Sequence, residues 1–194
     1  MYSSLIERAL RAAVLAHDEG LRSGIVSLSR SVHPLHVALM LARWGQDEEV
    51  IVAGLAQGLA ASCEGWSSQR VTAEFGRRVG AIVDELAESV PLDPRQRREQ
   101  GIERVAHMSP LAATVQAAAV LHQLQGLLAE LRESADAVEV WSRFEAGPER
   151  TLEAAAELVE ALGRRVEPRV GRALHAALHA IVEHERAAAI GRAS

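Results

Sequence analysis

The sequence predicts an all-α protein, and three observations support that fold class. Ala occurs 35 times in 194 residues and is accompanied by many Leu, Glu and Arg, all of which favour helix. Val and Ile are thinly spread, and no segment alternates apolar and polar residues as a half-buried strand does. Apolar residues recur instead at helical spacing, with Gly and Pro between the periodic segments. We expect one domain over residues 1–194, built from eight to ten helices.

Local signals define the helices of the first half. A first helix is predicted over Ser4–Gly20, followed by a loop over 21–33. Pro34 suits the first turn of a second helix, Pro34–Trp44, because proline needs no N–H partner there. A third helix is predicted over Asp47–Ser62, with carboxylates in its first turn, where the helix dipole favours anions.

The second half contains further helices, whose ends are likewise marked by Ser, Pro and Gly. A short helix that ends at Gly76 is predicted with Ser67 or Ser68 as its cap. The others are predicted at Arg77–Ser89, Arg95–Ala106, Leu111–Leu131, Pro148–Arg165 and Pro168–Ala189. Three consecutive alanines, Ala117–Ala119, predict the close approach of a neighbouring helix. Docking of a partner protein or of a second copy on this alanine-rich face is the alternative interpretation.

Composition excludes several classes of protein. The 48% hydrophobic content is too high for a disordered chain, and a single cysteine, Cys63, rules out a disulfide scaffold. The net charge of -5 argues against a nucleic-acid partner. We expect no membrane partner and a cytoplasmic location, since Met1–Arg11 lacks the apolar stretch of a signal peptide and no uninterrupted apolar run approaches ~18 residues. Lys and Asn, whose codons are AT-rich, are absent, which indicates a bacterial genome of high GC content.

Several short segments resemble one family in their order and spacing. These segments are Ala16-His17, Arg22, His33-Pro34-Leu35, Val37-Ala38, DEEVIVAGL at 47–55, Phe75-Gly76 with Val79, VQAAAVLHQL at 115–124 and WSRF at 141–144. Together they resemble the HD-domain hydrolases of the RelA/SpoT type, whose small stand-alone members hydrolyse the alarmone (p)ppGpp. The resemblance covers about residues 5–185 and implies an HD-domain helical fold.

The resemblance also implies a divalent metal such as manganese. Its family ligands are a His before a Pro, an adjacent His-Asp pair within a helix, and a later Asp. The RelA/SpoT type adds a Glu-Asp pair one helical turn after the His-Asp pair. Such a metal activates a water molecule and polarises a phosphoryl oxygen.

This sequence departs from the family pattern at most of those positions. His33 stands at the first ligand, whereas the other family positions hold Gln57, Gly58, Ala61, Ser62 and Ala119. A catalytic divalent ion needs about three protein ligands, and one imidazole cannot hold it. We therefore expect no bound metal and no catalytic residue at these positions, and interpret the chain as a degenerate HD domain.

Three functional hypotheses follow. The first is an inactive HD domain that binds a nucleotide or phosphate, with pocket candidates Arg22, Arg30, His33, Gln57 and His122, or that binds a protein partner or a second copy. The second is a phosphohydrolase with a rebuilt site, in which His33 or His122 acts as general base beside Arg22. The third is a purely structural helical interaction module. The first is preferred, because hydrolysis without the metal loses the largest catalytic contribution.

A histidine pair in the last predicted helix offers a separate metal-site candidate. His175, His179 and Glu183 share one helix face at four-residue spacing, which could hold zinc or nickel. No partner segment for such a site is recognisable in the sequence. We therefore favour a solvated helix face.

Overall fold

The computed structural model describes residues 3–22, 28–63, 65–87, 94–134 and 136–193; within them, side chains are described except at 17–22, 28–31, 62, 94–99 and 191–193. These residues form ten α-helices and no strand, which confirms the all-α prediction. The helices are α1 (Ser4–Arg22), α2 (Leu28–Arg43), α3 (Glu48–Ser62), α4 (Ser68–Phe75), α5 (Arg77–Leu86), α6 (Pro94–His107), α7 (Pro110–Glu133), α8 (Ala137–Trp141), α9 (Gly147–Gly163) and α10 (Pro168–Ala193).

The chain divides into two compact units. The first comprises Met1–Pro91 and Met108–Ala119, and therefore contains α1 to α5 with the start of α7. The second comprises Leu92–His107 and Val120–Ser194, and contains α6, the rest of α7 and α8 to α10. That residues 1–194 form one domain stays a prediction.

Side-chain caps fix the helix starts that the sequence predicted. Asp47 precedes α3 and its Oδ1 accepts the backbone N–H of Val50 at 3.1 Å. Ser67 precedes α4 and its Oγ accepts the N–H of Arg70 at 3.2 Å. Each cap pairs one of the N–H groups that a helix start leaves without a carbonyl. The starts of α3 and α4 are therefore set by local chemistry.

The predicted start of the second helix was wrong. α2 begins at Leu28, so that Pro34 is its seventh residue and lies inside the helix. Proline in a helix interior removes one backbone hydrogen bond and is unfavourable by about 3 kcal/mol, which made a helix start the natural expectation. The predicted loop 21–33 is helical wherever the structure describes it. The five-residue helix α8 was not predicted, because it is too short to show a periodic pattern.

Helix α3 is the central element of the first unit. It packs against α1, α2, α4 and α5. Its fully buried side chains are Val50, Val52, Ala53, Leu55, Ala56 and Leu59. Because these positions face several directions around the helix, α3 is enclosed rather than amphipathic.

The second unit is organised around α9, which packs against α6 and α10. Its core side chains include Leu131, Trp141, Val159, Leu162, Leu174 and Ile181. Helices α9 and α10 meet at glycines, since a Cβ at Gly171 of α10 would lie 3.5 Å from the Cα of Gly163 of α9.

Helix α7 is a long apolar helix of 24 residues. By length and composition it is the one helix of the described chain that could cross a membrane. However, 56% of the 18-residue stretch that is apolar enough to do so is buried within the protein. Core helices of water-soluble proteins meet the same test. Ala117 and Ala118 are fully buried and Ala119 is 7% exposed; the close approach of a neighbouring helix stays a prediction.

Candidate functional site

The predicted site lies where α2 and α3 pack together. Gly54 and Gly58, one turn apart on α3, both face α2. A Cβ added at Gly54 would lie 2.6 Å from Cδ1 of Leu41 and 3.2 Å from Cγ1 of Val37. The backbone of α3 thus approaches α2 as closely as glycine permits.

The contact is tighter still at Gly58. A Cβ there would lie 2.9 Å from Cβ of Pro34 and closer than that to its Cγ. Pro34 is buried, and it directly follows His33, the residue that the resemblance places at the first ligand position. We call Gly54 and Gly58 with Pro34, Val37 and Leu41 the α2–α3 contact. It places the family's His-Asp positions beside the family's His-Pro pair.

The described side chains next to this contact are half-buried. His33 lies in the interior of α2 and Gln57 lies on α3, and both are partly accessible to solvent. Nε2 of Gln57 is buried and has no hydrogen-bond partner in the described part of the chain. Leaving a buried amide N–H without an acceptor costs about 1–3 kcal/mol. Gln57 therefore has an unused donor beside the predicted pocket.

The remaining predicted residues are distributed more widely. Ala61 is exposed near the end of α3, and Ala119 is buried in the part of α7 that belongs to the first unit. His122 is half-buried and belongs to the second unit. The side chains of Arg22, Arg30 and Ser62 lie outside the described residues. The structure therefore brings together Gly58 and Pro34, with Gln57 and His33 adjacent to them in sequence.

The residues present do not fit the divalent metal that the family resemblance implies. Across the described ranges, no three His, Cys, Asp or Glu side chains are grouped so that they could hold a metal ion. The two positions that the family resemblance assigns to a His-Asp pair hold the neutral amide of Gln57 and Gly58. Divalent ions of this kind are held by imidazole and carboxylate ligands, and neither is available at residues 57 and 58.

An ion-pair cluster fixes the start of α3. Arg78, at the start of α5, donates to Oδ2 of Asp47 at 2.7 Å and to Oε2 of Glu49 at 2.5 Å. The hydrogen bonds that Arg78 donates to Glu49 and then to Asp47 raise the pKa of its guanidinium above the usual value. Asp47 is therefore both the N-cap of α3 and an ion-pair partner. The sequence analysis missed this cluster, because the residues are far apart in the chain.

An aromatic cluster follows α3. The Trp66 ring stacks on Phe75 with centroids 6.0 Å apart, and the Arg70 guanidinium lies 4.3 Å from the Trp66 centroid. Arg70 Nη1 also donates to the carbonyl of Gly65 at 3.0 Å. These contacts order the turn between α3 and α4. The four-residue spacing of Trp66 and Arg70 was the only sequence signal for them.

The histidine face of α10 is solvated, as predicted. The side chains of His175 and His179 are 53% and 75% exposed. Nε2 of His175 lies 3.8 Å from Oε2 of Glu160 on α9, and Nε2 of His179 lies 4.0 Å from Oε1 of Glu183. These are loose, solvent-screened contacts.

Comparison with known proteins identifies the family. Residues 9–139 match the HD domain family, which is more than half of the chain. The protein belongs to the HD domain family. No curated protein matches the sequence.

Two solved structures share the fold. The lmo0812 protein of Listeria monocytogenes has a TM-score of 0.68 at 24% sequence identity, covering 78% of this chain and 99% of its own. A metazoan ortholog of SpoT, described as hydrolysing ppGpp, has a TM-score of 0.71 at 18% identity, covering 92% of this chain and 96% of its own. At these identities the likeness shows a common SpoT-like helical fold.

Proposed function

We propose that this HD domain acts by binding a ligand and does not carry out metal-dependent hydrolysis. The observation that carries the proposal is that α3 holds Gln57 and Gly58 at the positions where the family resemblance implies a His-Asp pair. No group of three metal-ligating side chains in the described chain supplies a substitute. The family resemblance thus extends to the scaffold and not to the metal-binding residues.

The chemical reason is the size of the metal's contribution. A divalent ion activates water and neutralises the charge that develops on the phosphoryl group. A positioned histidine such as His33 contributes only about 10²–10⁴-fold as a general base. The slowest phosphate-ester hydrolyses need far larger accelerations. A chain without the metal is therefore better suited to binding than to turnover.

The proposed ligand carries phosphate, as a nucleotide does. The family's acidic positions hold Gly58, Ala61, Ser62 and Ala119 in this chain. Fewer carboxylates mean less repulsion of an anion that is not accompanied by a metal. His33 and the unpaired amide of Gln57 are donor groups beside the contact, and Arg22 and Arg30 are further candidates whose guanidinium groups suit phosphate oxygens.

The loss of hydrolysis is tested with the substrate of the resembling family. Purified protein is incubated with guanosine tetraphosphate and Mn²⁺, and release of diphosphate is followed. We expect none. Release that is abolished by His33→Ala, and retained by the control His36→Ala on the same helix, would show that a working site exists and overturn the proposal.

Ligand binding is tested by thermal unfolding in the presence of EDTA. Guanosine tetraphosphate is expected to raise Tm, because a ligand at 100 times its Kd adds about 2.7 kcal/mol to the stability of the folded state. The increase should be lost in His33→Ala and Gln57→Ala and retained in His36→Ala. No increase with guanosine tetraphosphate, GTP or inorganic phosphate would contradict the phosphate ligand and favour a protein-binding module.

A further inference from the structure

We infer that the packing of α2 on α3 itself excludes the family's metal site, so that restoring the ligand residues does not restore metal binding. The Pro34 ring lies against the backbone of Gly58 and takes up the space that any side chain at that position needs. This inference rests on the proposed function, because it takes Gln57 and Gly58 as the His-Asp positions.

The steric conflict at Gly58 begins with the first side-chain atom. Every residue except glycine has a Cβ, and here that atom would lie 2.9 Å from Cβ of Pro34 and nearer to its Cγ. Carbon atoms in favourable contact lie about 3.5–4.0 Å apart. An aspartate at position 58 therefore does not fit unless α2 and α3 separate, wherever its carboxylate lies.

Pro34 cannot rotate out of the way. Its side chain is closed into a ring on the backbone, and the residue is buried. Gly54 differs in this respect, since the nearest atom there is Cδ1 of Leu41, the end of a side chain with rotatable bonds. The conflict at Gly58 must therefore be relieved by movement of a helix.

Movement of α3 is opposed by its other neighbours. The helix also packs on α1 and α5, and Val50, Leu55 and Leu59 are fully buried. Arg78 joins its N-terminal end to α5 through Asp47 and Glu49. A shift of α3 away from α2 would disturb these close-packed contacts, and overpacked cores lose stability for this reason.

The separation would also move His33, the one family ligand that remains. His33 directly precedes Pro34 in α2, so a displacement of Pro34 also displaces His33. Metal sites need ligands held to within about 0.5 Å. The family pattern combines a His-Pro pair with a His-Asp pair, so it is the close approach of α2 and α3 in this chain, and not the proline alone, that prevents the His-Asp pair from being rebuilt.

A double-mutant cycle of Gly58→Ala and Pro34→Ala tests the steric contact. We expect Gly58→Ala alone to raise the equilibrium constant for unfolding by about tenfold, measured by urea denaturation. In the Pro34→Ala background the increase should be smaller, because Cγ of the ring is gone while the Cβ at position 34, 2.9 Å from the added Cβ, remains. Gly101→Ala and Gly126→Ala are matched controls in α6 and α7, where a Cβ would contact nothing within 4 Å. They should stabilise the protein, as alanine does in a helix.

A Gly58→Ala variant that is as stable as the two controls would overturn the inference, and so would an equal loss of stability in both backgrounds. Either result leaves the proposed function intact, because neither concerns metal binding by the natural sequence. Conversely, stoichiometric Mn²⁺ binding by the unmodified protein would refute the proposed function without altering the outcome of the cycle.

The variant Gln57→His/Gly58→Asp tests the consequence directly. Its stability is measured by urea denaturation and its affinity for Mn²⁺ by the loss of the free-ion EPR signal. We expect it to unfold at lower urea than the unmodified protein and to bind no Mn²⁺. Unchanged stability would contradict the exclusion, with or without Mn²⁺ binding, and so would Mn²⁺ binding by the folded variant.

Discussion

Two helix pairs in this protein, one in each unit, meet at glycines, but they differ in whether a larger residue fits in place of the glycine. In the α2–α3 contact a Cβ at Gly54 would lie 2.6 Å from Leu41, and a Cβ at Gly58 would contact the Pro34 ring. In the α9–α10 pair a Cβ at Gly171 would lie 3.5 Å from the Cα and the carbonyl oxygen of Gly163. The first pair has no space for a side chain, whereas the second has space for a methyl group.

The difference shows that a glycine where two helices meet can be either required by the packing or only compatible with it. In the second unit it is compatible with close packing but not required by it, since 3.5 Å is an ordinary van der Waals distance. In the first unit it is required, because the backbone of α3 fills the groove of α2. Gly58, which the family resemblance assigns to a metal-ligand position, lies in the α2–α3 contact, and this links the proposed loss of function to packing.

The largest effect is expected from removing the side chain against which Gly54 packs. Leu41 is fully buried, so Leu41→Ala should lower the free energy of unfolding by about 2–5 kcal/mol. Urea denaturation measures the change. Adding Gly54→Ala to this variant should cost less than it does alone, because the added methyl group enters the space that Cδ1 vacated. Strict additivity of the two changes would show that the contact is not sterically limited.

Gly54→Ala alone should lower the free energy of unfolding by up to about 2.5 kcal/mol. The clash with Leu41 and Val37 contributes an overpacking penalty of about 1–3 kcal/mol, from which the helix preference of alanine, about 0.5–1 kcal/mol, is deducted. The same denaturation experiment tests it. A gain in stability would mean that Leu41 and Val37 move aside easily or that α2 and α3 separate, and the contrast between the two units would then be lost at Gly54.

Gly171→Ala should have a smaller effect of opposite sign. Its methyl group would sit at ordinary contact distance from Gly163, so the helix preference of about 0.5–1 kcal/mol remains as a net gain. Thermal unfolding should show a higher Tm. A lower Tm would indicate that the α9–α10 pair is as intolerant as the α2–α3 contact.

The smallest effect is expected at the ion pairs. Arg78→Ala should lower Tm more than Arg164→Ala, because Arg78 joins α5 to the start of α3 through two carboxylates, whereas Arg164 pairs with Glu160 within one turn of α9. Exposed pairs of this kind weaken as salt is added. The difference between the variants should therefore shrink at 1 M NaCl. A difference that persists in high salt would point to packing by the Arg78 stem instead.

A pH titration should leave the contribution of Arg78 unchanged. Its two hydrogen bonds raise the pKa of the guanidinium above the ordinary value. A group whose pKa is raised in the folded state stabilises the protein fully at every pH below its pKa in the unfolded state. This stabilisation is lost only as the pH rises through the pKa of the folded state. Both lie above the neutral range, so Arg78 protonation adds no slope to stability between pH 6 and pH 9.

Much of the fold could be predicted from sequence because its determinants are local. Asp47 and Ser67 cap α3 and α4 as their residue types suggest, and the bounds of α7, α9 and α10 agree with the predicted helices to within a few residues. Helix propensity, caps and apolar spacing act over one or two turns. The family resemblance was likewise visible in the order of short segments, and it agrees with the family match over residues 9–139.

What the sequence by itself determined is therefore the all-α class, most helix ends, and the presence of Gln57 and Gly58 at the positions where the family resemblance implies metal ligands. The tertiary structure decided where Pro34 lies and what it touches. A proline seven residues into a helix contradicts local propensity, and its contact with Gly58 joins residues 24 positions apart. Such contacts depend on how two helices approach each other, which is set by the packing of the whole unit and not by the residues of either helix alone.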